Sequence, residues 1–519
     1  MITIYSQTGD YAAELVRAGF MRAFTDAQVS EVITDGVYIR SSIQVFVNPS
    51  SDDIKLISLA FDVFSKVIVL GSLPDNFATL LSLSVQGLSD EIVEAGKCMP
   101  APLHGFSESD ACIQYLSLPS GIQCAIENRP FLRYDFAEEW NNLGYGAVRT
   151  DSSIWAMSCR AEINNTELTT DLAVVRMGQT QCSSYVTLTS LAKTEILWVN
   201  RSVGFVDSHE FRLLETFICN YSSEKHPCLP VLREIPYGYD AMVTMRLDCD
   251  ESIKSATSLF ELYQQNDVPF SLALRTEQDT GDEDYALLRN IIDNGGSVLS
   301  HTVNHKKNWG VDKEDVRIEA RDSRNWIEKH VPSAGSIEYA VSPFHQNPDY
   351  AVEALSAEGY KGFISGIICN DPQYLISRAG KLYNAGEIIS HSQQCMLHGD
   401  CMLSVEYDPI AIYKRSVNAC IQSGAIFGYL DHPFSERYQY GWESEKQRLD
   451  IHQSWLDYLK SRGNVLFDNE VNTLNFIRKK SGAKIWLEKA VVRFSIASDL
   501  QYDLAFEYKE KIGKVSSSE

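Results

Sequence analysis

The sequence predicts an α/β protein of more than one unit, and three observations carry that expectation. Strand-like apolar runs alternate with helical periodicity through most of residues 237–485, the pattern of βα units on a parallel sheet or barrel. A looser alternation of the same kind opens the chain. The length, 519 residues, exceeds the roughly 100–250 residues that one core supports.

In order along the chain, Ile2–Tyr5 reads as a strand, Tyr11 to Phe24 as a helix, and the apolar runs Ile43–Val47 and Val67–Leu70 as strands. Between Leu172 and Val206 the pattern turns β-rich (Leu172–Val175, Tyr185–Leu188, Ile196–Val199), and a helix is expected near His209–Cys219. Residues 1–236 are read as an accessory α/β module with a layered sheet, flavodoxin-like or amidotransferase-like without a nucleophile motif, serving substrate presentation or oligomerisation. Ser222 to Asp240 holds three prolines among Gly and polar residues, a connecting composition that places a boundary near Tyr237. Beyond it strands (Met242–Leu247, Phe270–Leu274, Val298–Ser300, Tyr339–Val341, Phe363–Ser365) alternate with helices (Ile253–Asn266, Asp284–Asn294, Lys313–His330, Tyr350–Gly359). This second unit, 237–485, is expected to be an irregular (β/α) barrel. Alternation at Val491–Ile496 and Tyr502–Tyr508 makes residues 486–519 a small β extension.

Composition narrows the function. Hydrophobic residues at 44% and charged residues at 22% suit a packed globular protein. A net charge of −23 argues against nucleic acid, whose binding draws on clustered Lys and Arg. The opening residues lack a basic segment followed by an apolar one, and no stretch reaches about 18 uninterrupted apolar residues, so a cytoplasmic protein without a membrane span is expected. Twelve cysteines scattered singly fit reduced thiols better than a disulfide framework. The Asn-x-Ser/Thr triplets at Asn164, Asn200 and Asn220 then carry no glycosylation meaning.

Three short segments hold the chemistry. Asp248 and Asp250 follow an apolar strand, where a spacing of two directs both side chains to one face; the bland alternative is that they cap the helix beginning near Ser252. His301 and His305 follow Ser297–Ser300 at a spacing that a helical turn or tight loop brings onto one ion, although exposed histidines recur at this interval by chance. His432 follows the strand Ile426–Leu430 and is placed to protonate a leaving amine; a lone histidine there is more often merely hydrogen-bonded. Two His and one Asp leave coordination positions open and suit a divalent metal, zinc first, with manganese, cobalt or nickel also compatible.

These segments resemble the motifs of the polysaccharide deacetylases of the NodB-homology type, carbohydrate esterase family 4, over roughly Tyr239 to Ile477. Ser300-His301-Thr302-Val303-Asn304-His305 fits the family's H-[ST]-x-x-H motif, and Leu430-Asp431-His432 fits its last. The first motif departs: Arg246-Leu247-Asp248-Cys249-Asp250 is more similar to that of the deformylases acting on a formylated aminosugar of lipid A. The resemblance implies Asp248 as base, Asp250, His301 and His305 as metal ligands, and His432 as acid. The middle motif, usually Arg-x-Pro-Tyr, has its counterpart in Ser342-Pro343-Phe344-His345. Its arginine is missing, so either Arg246 or Arg378 takes its place or the site is tuned differently, and Arg246, Arg378, Phe344 and His345 are candidates to meet substrate.

Asn370 and Asp371 read as turn residues that can also face the site. His391, Cys395, His398 and Cys401 lie within eleven residues at a spacing unlike a zinc ribbon or finger; a loop over the site, with His391 reaching substrate, is the preferred reading. No P-loop, G-x-G-x-x-G or G-x-S-x-G occurs, so NTPase, dinucleotide and serine-hydrolase readings lack their signatures. The expectation is metal-dependent hydrolysis of the N-acetyl group of an amino sugar in bacterial surface polysaccharide biosynthesis. The substrate is an N-acylated sugar or saccharide, free or linked to nucleotide or lipid, and a homo-oligomer stays open. The alternatives are a deformylase or other C–N amide hydrolase on the same fold, and a degenerate member that binds carbohydrate without turning it over.

Overall fold

The computed structural model describes residues 1–34, 37–97, 111–124, 128–130, 157–201, 208–366, 378–382, 386–393, 395–399, 408–435, 438–496 and 501–515. Two large sheets organise them. The first runs, in spatial order, Val29–Ile33, Ile2–Tyr5, Ile43–Val47, Ser65–Leu70, Thr194–Val199, Thr180–Leu191, Thr169–Met177, Ala111–Tyr115 and Asn128–Pro130. Its first five strands are parallel and its remaining ladders antiparallel. Ile43–Val47 and Ser65–Leu70 are buried at every position, as parallel strands covered on both faces must be. The helix Tyr11–Phe24 starts where the Asp10 carboxylate accepts from the Ala12 N–H at 2.9 Å and buries Ala13, Val16, Phe20 and Phe24 along one stripe.

The second sheet runs Gly380–Lys381, Ile389–Gln393, Gly362–Gly366, Tyr339–Val341, Ser297–Ser300, Ser271–Leu274, Ala241–Cys249, Phe427–Asp431 and Cys395–Met396, with Val465–Asp468 also paired to Ala241–Cys249. Every ladder is parallel except the edge pair of Gly380–Lys381 with Ile389–Gln393. One stretch of chain meets both ends of this run. Ile389–Gln393 pairs with Gly362–Gly366, and just past residue 394 Cys395–Met396 pairs with Phe427–Asp431. The expected α/β alternation is therefore present. The expected helix over Ile253–Asn266 divides into a 3-10 turn, Ile253–Ala256, and an α-helix, Thr257–Gln265, tightened first turns being frequent at helix starts.

The proline-bearing stretch 222–240 is not a bare connector. Val231–Leu232 is a buried strand that pairs with Leu504–Tyr508, which in turn pairs with Lys511–Val515. The last residues thus split between this small sheet and a hairpin of Lys484–Glu488 with Val491–Ser495. Buried charges cross from the early to the late part of the chain. Arg378 donates to Glu215 through Nε at 3.0 Å and Nη2 at 2.7 Å, and Arg212 Nη2 lies 2.8 Å from Glu507.

Candidate metal centre and its cavity

Arg246 and Asp248 are two residues apart on Ala241–Cys249 and share a face, both buried. The guanidinium grips the carboxylate as a fork, Nε to Oδ1 at 2.7 Å and Nη2 to Oδ2 at 3.2 Å. Asp250 follows the strand end. Neither aspartate caps a helix: the N-cap of Ile253–Ala256 is Ser252. Instead Asp250 Oδ1 is a buried oxygen without a hydrogen-bond partner, 3.3 Å from His301 Nε2 and 3.8 Å from His305 Nε2.

The two histidines reach it from a loop rather than a helical turn. Thr302 and His305 have positive φ of 65° and 52°, strain of the kind that gathers at functional sites. The loop is held by Glu319, on the helix Lys313–His330, which accepts from the N–H groups of Val303 at 2.9 Å and Asn304 at 2.8 Å. His301 Nδ1 is 3.0 Å from the Val341 carbonyl, so Nδ1–H donates there and Nε2 faces Asp250. A backbone carbonyl that fixes the tautomer in this way is a frequent companion of metal-bound histidine.

Among the described residues, Asp250, His301 and His305 form the group whose ligand atoms all lie within 4.8 Å of one another. An orphaned carboxylate oxygen and two imidazole nitrogens so spaced fit a divalent transition metal, whose bonds of about 2.0–2.2 Å to such atoms set them about 3–4 Å apart. His432 closes the far side, its Nε2 at 3.6 Å from Asp250 Oδ2. The centre opens into a cavity of about 760 Å³ also lined by Phe344, His345, Tyr438 and Tyr440, with carboxylates of Glu251, Glu277 and Asp279. Phe344 is exposed and its ring lies 4.6 Å from that of His305. Phe344 and His345 both have left-handed backbone, φ 53° and 54°.

Charges in the site are set by burial and by each other. Burial opposes ionisation of Asp248, but Arg246, His301 and His432 outweigh it and hold the carboxyl below its usual range. Asp250 is likewise held low against burial by His301, His432 and His305. Burial and the neighbouring His301 bring His305 down to about 4, and burial and His398 bring His432 to about 4. Both are neutral near pH 7 in the metal-free site, which leaves His305 a lone pair for an ion.

The other predicted residues fall differently. Arg246 grips Asp248 and does not line the cavity. Arg378 is committed to Glu215 and the Ser423 carbonyl, because that buried carboxylate needs a partner. His391 lies on the strand Ile389–Gln393 rather than on a covering loop, buried 3.9 Å from Glu470 and outside the cavity. His391 and Cys395 lie on two different strands, and they form no ligand group with His398 among the described residues; Cys401, Asn370 and Asp371 lie outside the described residues.

Asp431, noted in the sequence only as a neighbour of His432, accepts from the His432 N–H at 2.7 Å, Arg448 Nε at 2.7 Å and His452 Nε2 at 2.9 Å. Sequence reasoning missed this clamp and the Tyr440 ring stacked 4.4 Å from that of His432. No spacing signals either, since their parts lie on separate elements.

No family model matches the chain. No curated protein matches either. Solved structures to which it is similar include one described as a novel carbohydrate deacetylase, 8% identical, covering 97% of this chain and 92% of that one with a TM-score of 0.41. A family 4 acetyl xylan esterase from Clostridium thermocellum is 13% identical, with 45% and 90% covered and a TM-score of 0.30. A CE4 family pseudoenzyme from Bacillus anthracis is 13% identical, with 45% and 65% covered and a TM-score of 0.29. No helix among the described residues is long and apolar enough to cross a membrane.

Proposed function

We propose that this chain is a metal-dependent hydrolase that removes the N-acetyl group of an amino sugar. The observation that carries the reading is the convergence of Asp250, His301 and His305 beside an arginine-held Asp248, with His432 facing them. When bound at these three residues, a divalent ion, zinc first, supplies Lewis acidity and lowers the pKa of a coordinated water. Asp248 is the general base: its carboxylate is fixed by Arg246 and lines the same cavity. His432 lines the same cavity with Nε2 3.6 Å from Asp250 Oδ2, and passes to the departing amine the proton that Asp248 draws from the attacking water. Phe344, Tyr438 and Tyr440 offer ring faces for the sugar. Acetate and a free amino sugar are the products.

The same reading assigns residues 237–485 to the metal-bearing unit, as an irregular barrel closed through 389–396, with 1–236 as an accessory unit and 486–519 as a β extension. Support for closure is the pairing of that single stretch with both ends of the parallel run. The described cysteines are all free thiols, which supports a reducing, cytoplasmic setting.

The test is elemental analysis of protein purified without chelator, followed by acetate release from N-acetylated amino sugars with N-formyl analogues alongside. About one equivalent of metal is expected in the wild type and none in His301→Ala, His305→Ala. Asp250→Asn is expected to lose metal and acetate release together. Preferred release of formate would move the assignment to deformylation. A wild type that takes up no metal after reconstitution would falsify the hydrolase reading.

A further inference from the structure

Lys66 breaks the pattern of its strand. Ser65–Leu70 is buried at every position and pairs on both sides, with Ile43–Val47 and with Thr194–Val199. By strand alternation Lys66 shares a face with Ile68 and Leu70, which pack in one core with Phe217, Ile218 and Cys219 of the helix Ser208–Cys219. A lysine stands here where an apolar side chain would serve, and a fully buried ammonium is rare unless an opposite charge is paired with it. Lys66 has a different company. Among the described residues its Nζ donates to the Ile218 carbonyl at 3.4 Å and to Cys228 Sγ at 3.2 Å, with the Phe217 ring centroid 5.6 Å away.

The thiol is turned to suit. Cys228 is buried, and its Sγ lies 3.8 Å from the carbonyls of Tyr221 and His226, so the S–H points at a carbonyl and a sulfur lone pair faces the amine. Burial pulls Lys66 below the usual lysine range, with Cys228, Cys219 and Glu195 pulling the other way; the net effect enlarges the share of amine that carries a free lone pair. A nucleophilic nitrogen and an oxidisable sulfur are thus in contact, shut away from thiols in solution. At 3.2 Å, an oxygen inserted between them spans the gap with less movement than a direct N–S bond requires.

We propose that Lys66 Nζ and Cys228 Sγ form a reversible N–O–S cross-link with dioxygen as oxidant, fastening the strand Ser65–Leu70 to the segment that leads into Val231–Leu232. The neutral amine and the thiol each lose one hydrogen, and an N–O and an O–S bond form. One atom of dioxygen stays as the bridge and the other leaves as water with the two hydrogens. Nitrogen and sulfur give up two electrons each, and dioxygen takes up all four. Four thiols of an added reductant reverse the step, returning amine, thiol and one water and ending as two disulfides. The cross-link is independent of the metal centre and of the hydrolase reading. Its place in the chain gives it reach, because Val231–Leu232 is the strand on which Leu504–Tyr508 pairs.

The experiment starts from full-length protein purified under a thiol reductant. Half is kept reduced and half is exchanged into dioxygen-saturated buffer, and both are digested without reductant for peptide mass spectrometry. A linked pair of peptides is expected in the oxidised half, one holding Lys66 and the other Cys228, heavier than their sum by one oxygen less two hydrogens. Added reductant is expected to remove it. Lys66→Met and Cys228→Ala should lack it, and Cys219→Ser, which removes the neighbouring thiol, should keep it. Three results overturn the proposal: no linked peptides, a link without the added oxygen, or oxygen gained on Cys228 alone. These are read on the wild type, so they decide the chemistry even where a variant folds poorly. Thermal unfolding is the second arm. Tying positions 162 residues apart constrains the unfolded chain, so the Tm of oxidised wild type is expected to rise by several degrees over the reduced protein, with no such rise in Lys66→Met. A linked protein with unchanged Tm overturns the fastening role.

Discussion

Asp248 is a buried carboxylate whose charge is held first by the fork from Arg246, which makes Arg246 a sensitive position. Arg246→Leu is expected to destabilise the protein by about 3–5 kcal/mol, the cost of leaving one member of a buried pair uncompensated; urea unfolding of metal-free protein measures it, and adding Asp248→Asn should recover much of the loss. Acid acts on other residues. Burial holds His305 and His432 at about 4 and His345 and His391 at about 3. These rings stay neutral when folded and take up protons near the ordinary value of about 6.5 when unfolded. Between those values the unfolded chain binds more protons, so their contribution is lost as pH falls from about 6.5 towards 4. Glu470, which burial raises to about 7, acts in the opposite sense, its contribution disappearing as pH rises through that value. The raised His301, Asp171 and Asp468 act in the same sense as Glu470, while His226 and His452, lowered by burial, add to the four. The Tm of metal-free protein is therefore expected to drop between pH 6.5 and 4; a flat profile would contradict the burial of these rings.

At the scale of elements, the parts that follow from local physics were legible. Lys313–His330 shows helical periodicity and begins at Asp312, whose side chain caps Glu314 and Asp315, and the expected bounds match. The strand carrying Asp248 and the one leading into His301 were visible as apolar runs because they are buried on both faces. The loop form of the H-x-x-x-H segment was left open, since it depends on Glu319 reaching back from a later helix. The contact of His398 Nε2 with His432 Nδ1 at 2.7 Å was not legible, because 34 residues separate the rings and only the docking of the segment 395–399 against two others joins them. Gly399 tests that docking, since a Cβ there would fall 2.3 Å from the Gly441 carbonyl carbon and oxygen. Gly399→Ala is expected to cost about 1–3 kcal/mol, as overpacking does, and to leave metal content unchanged. Thermal unfolding with elemental analysis checks both.

For the whole molecule, composition pointed to a packed acidic protein and periodicity to α/β order, but nothing local showed how the early and late parts meet. They meet through buried charge: Glu215 with Arg378 and Arg212, and Arg212 again with Glu507. Glu215→Gln is expected to destabilise the chain by about 3–5 kcal/mol through the guanidiniums it leaves unbalanced, with metal content unchanged; differential scanning calorimetry reads the first and elemental analysis the second. The same seam bears on how the protein is made. Val231–Leu232 waits for Leu504–Tyr508, and Glu215 for Arg378, so the first half leaves the ribosome with carboxylates and strand edges that only later sequence can satisfy. At about 5–20 residues per second, roughly a quarter of a minute or more separates Leu232 from Leu504. During that interval the edge of Val231–Leu232 and the Glu215 carboxylate stay without the partners that cover them in the folded chain.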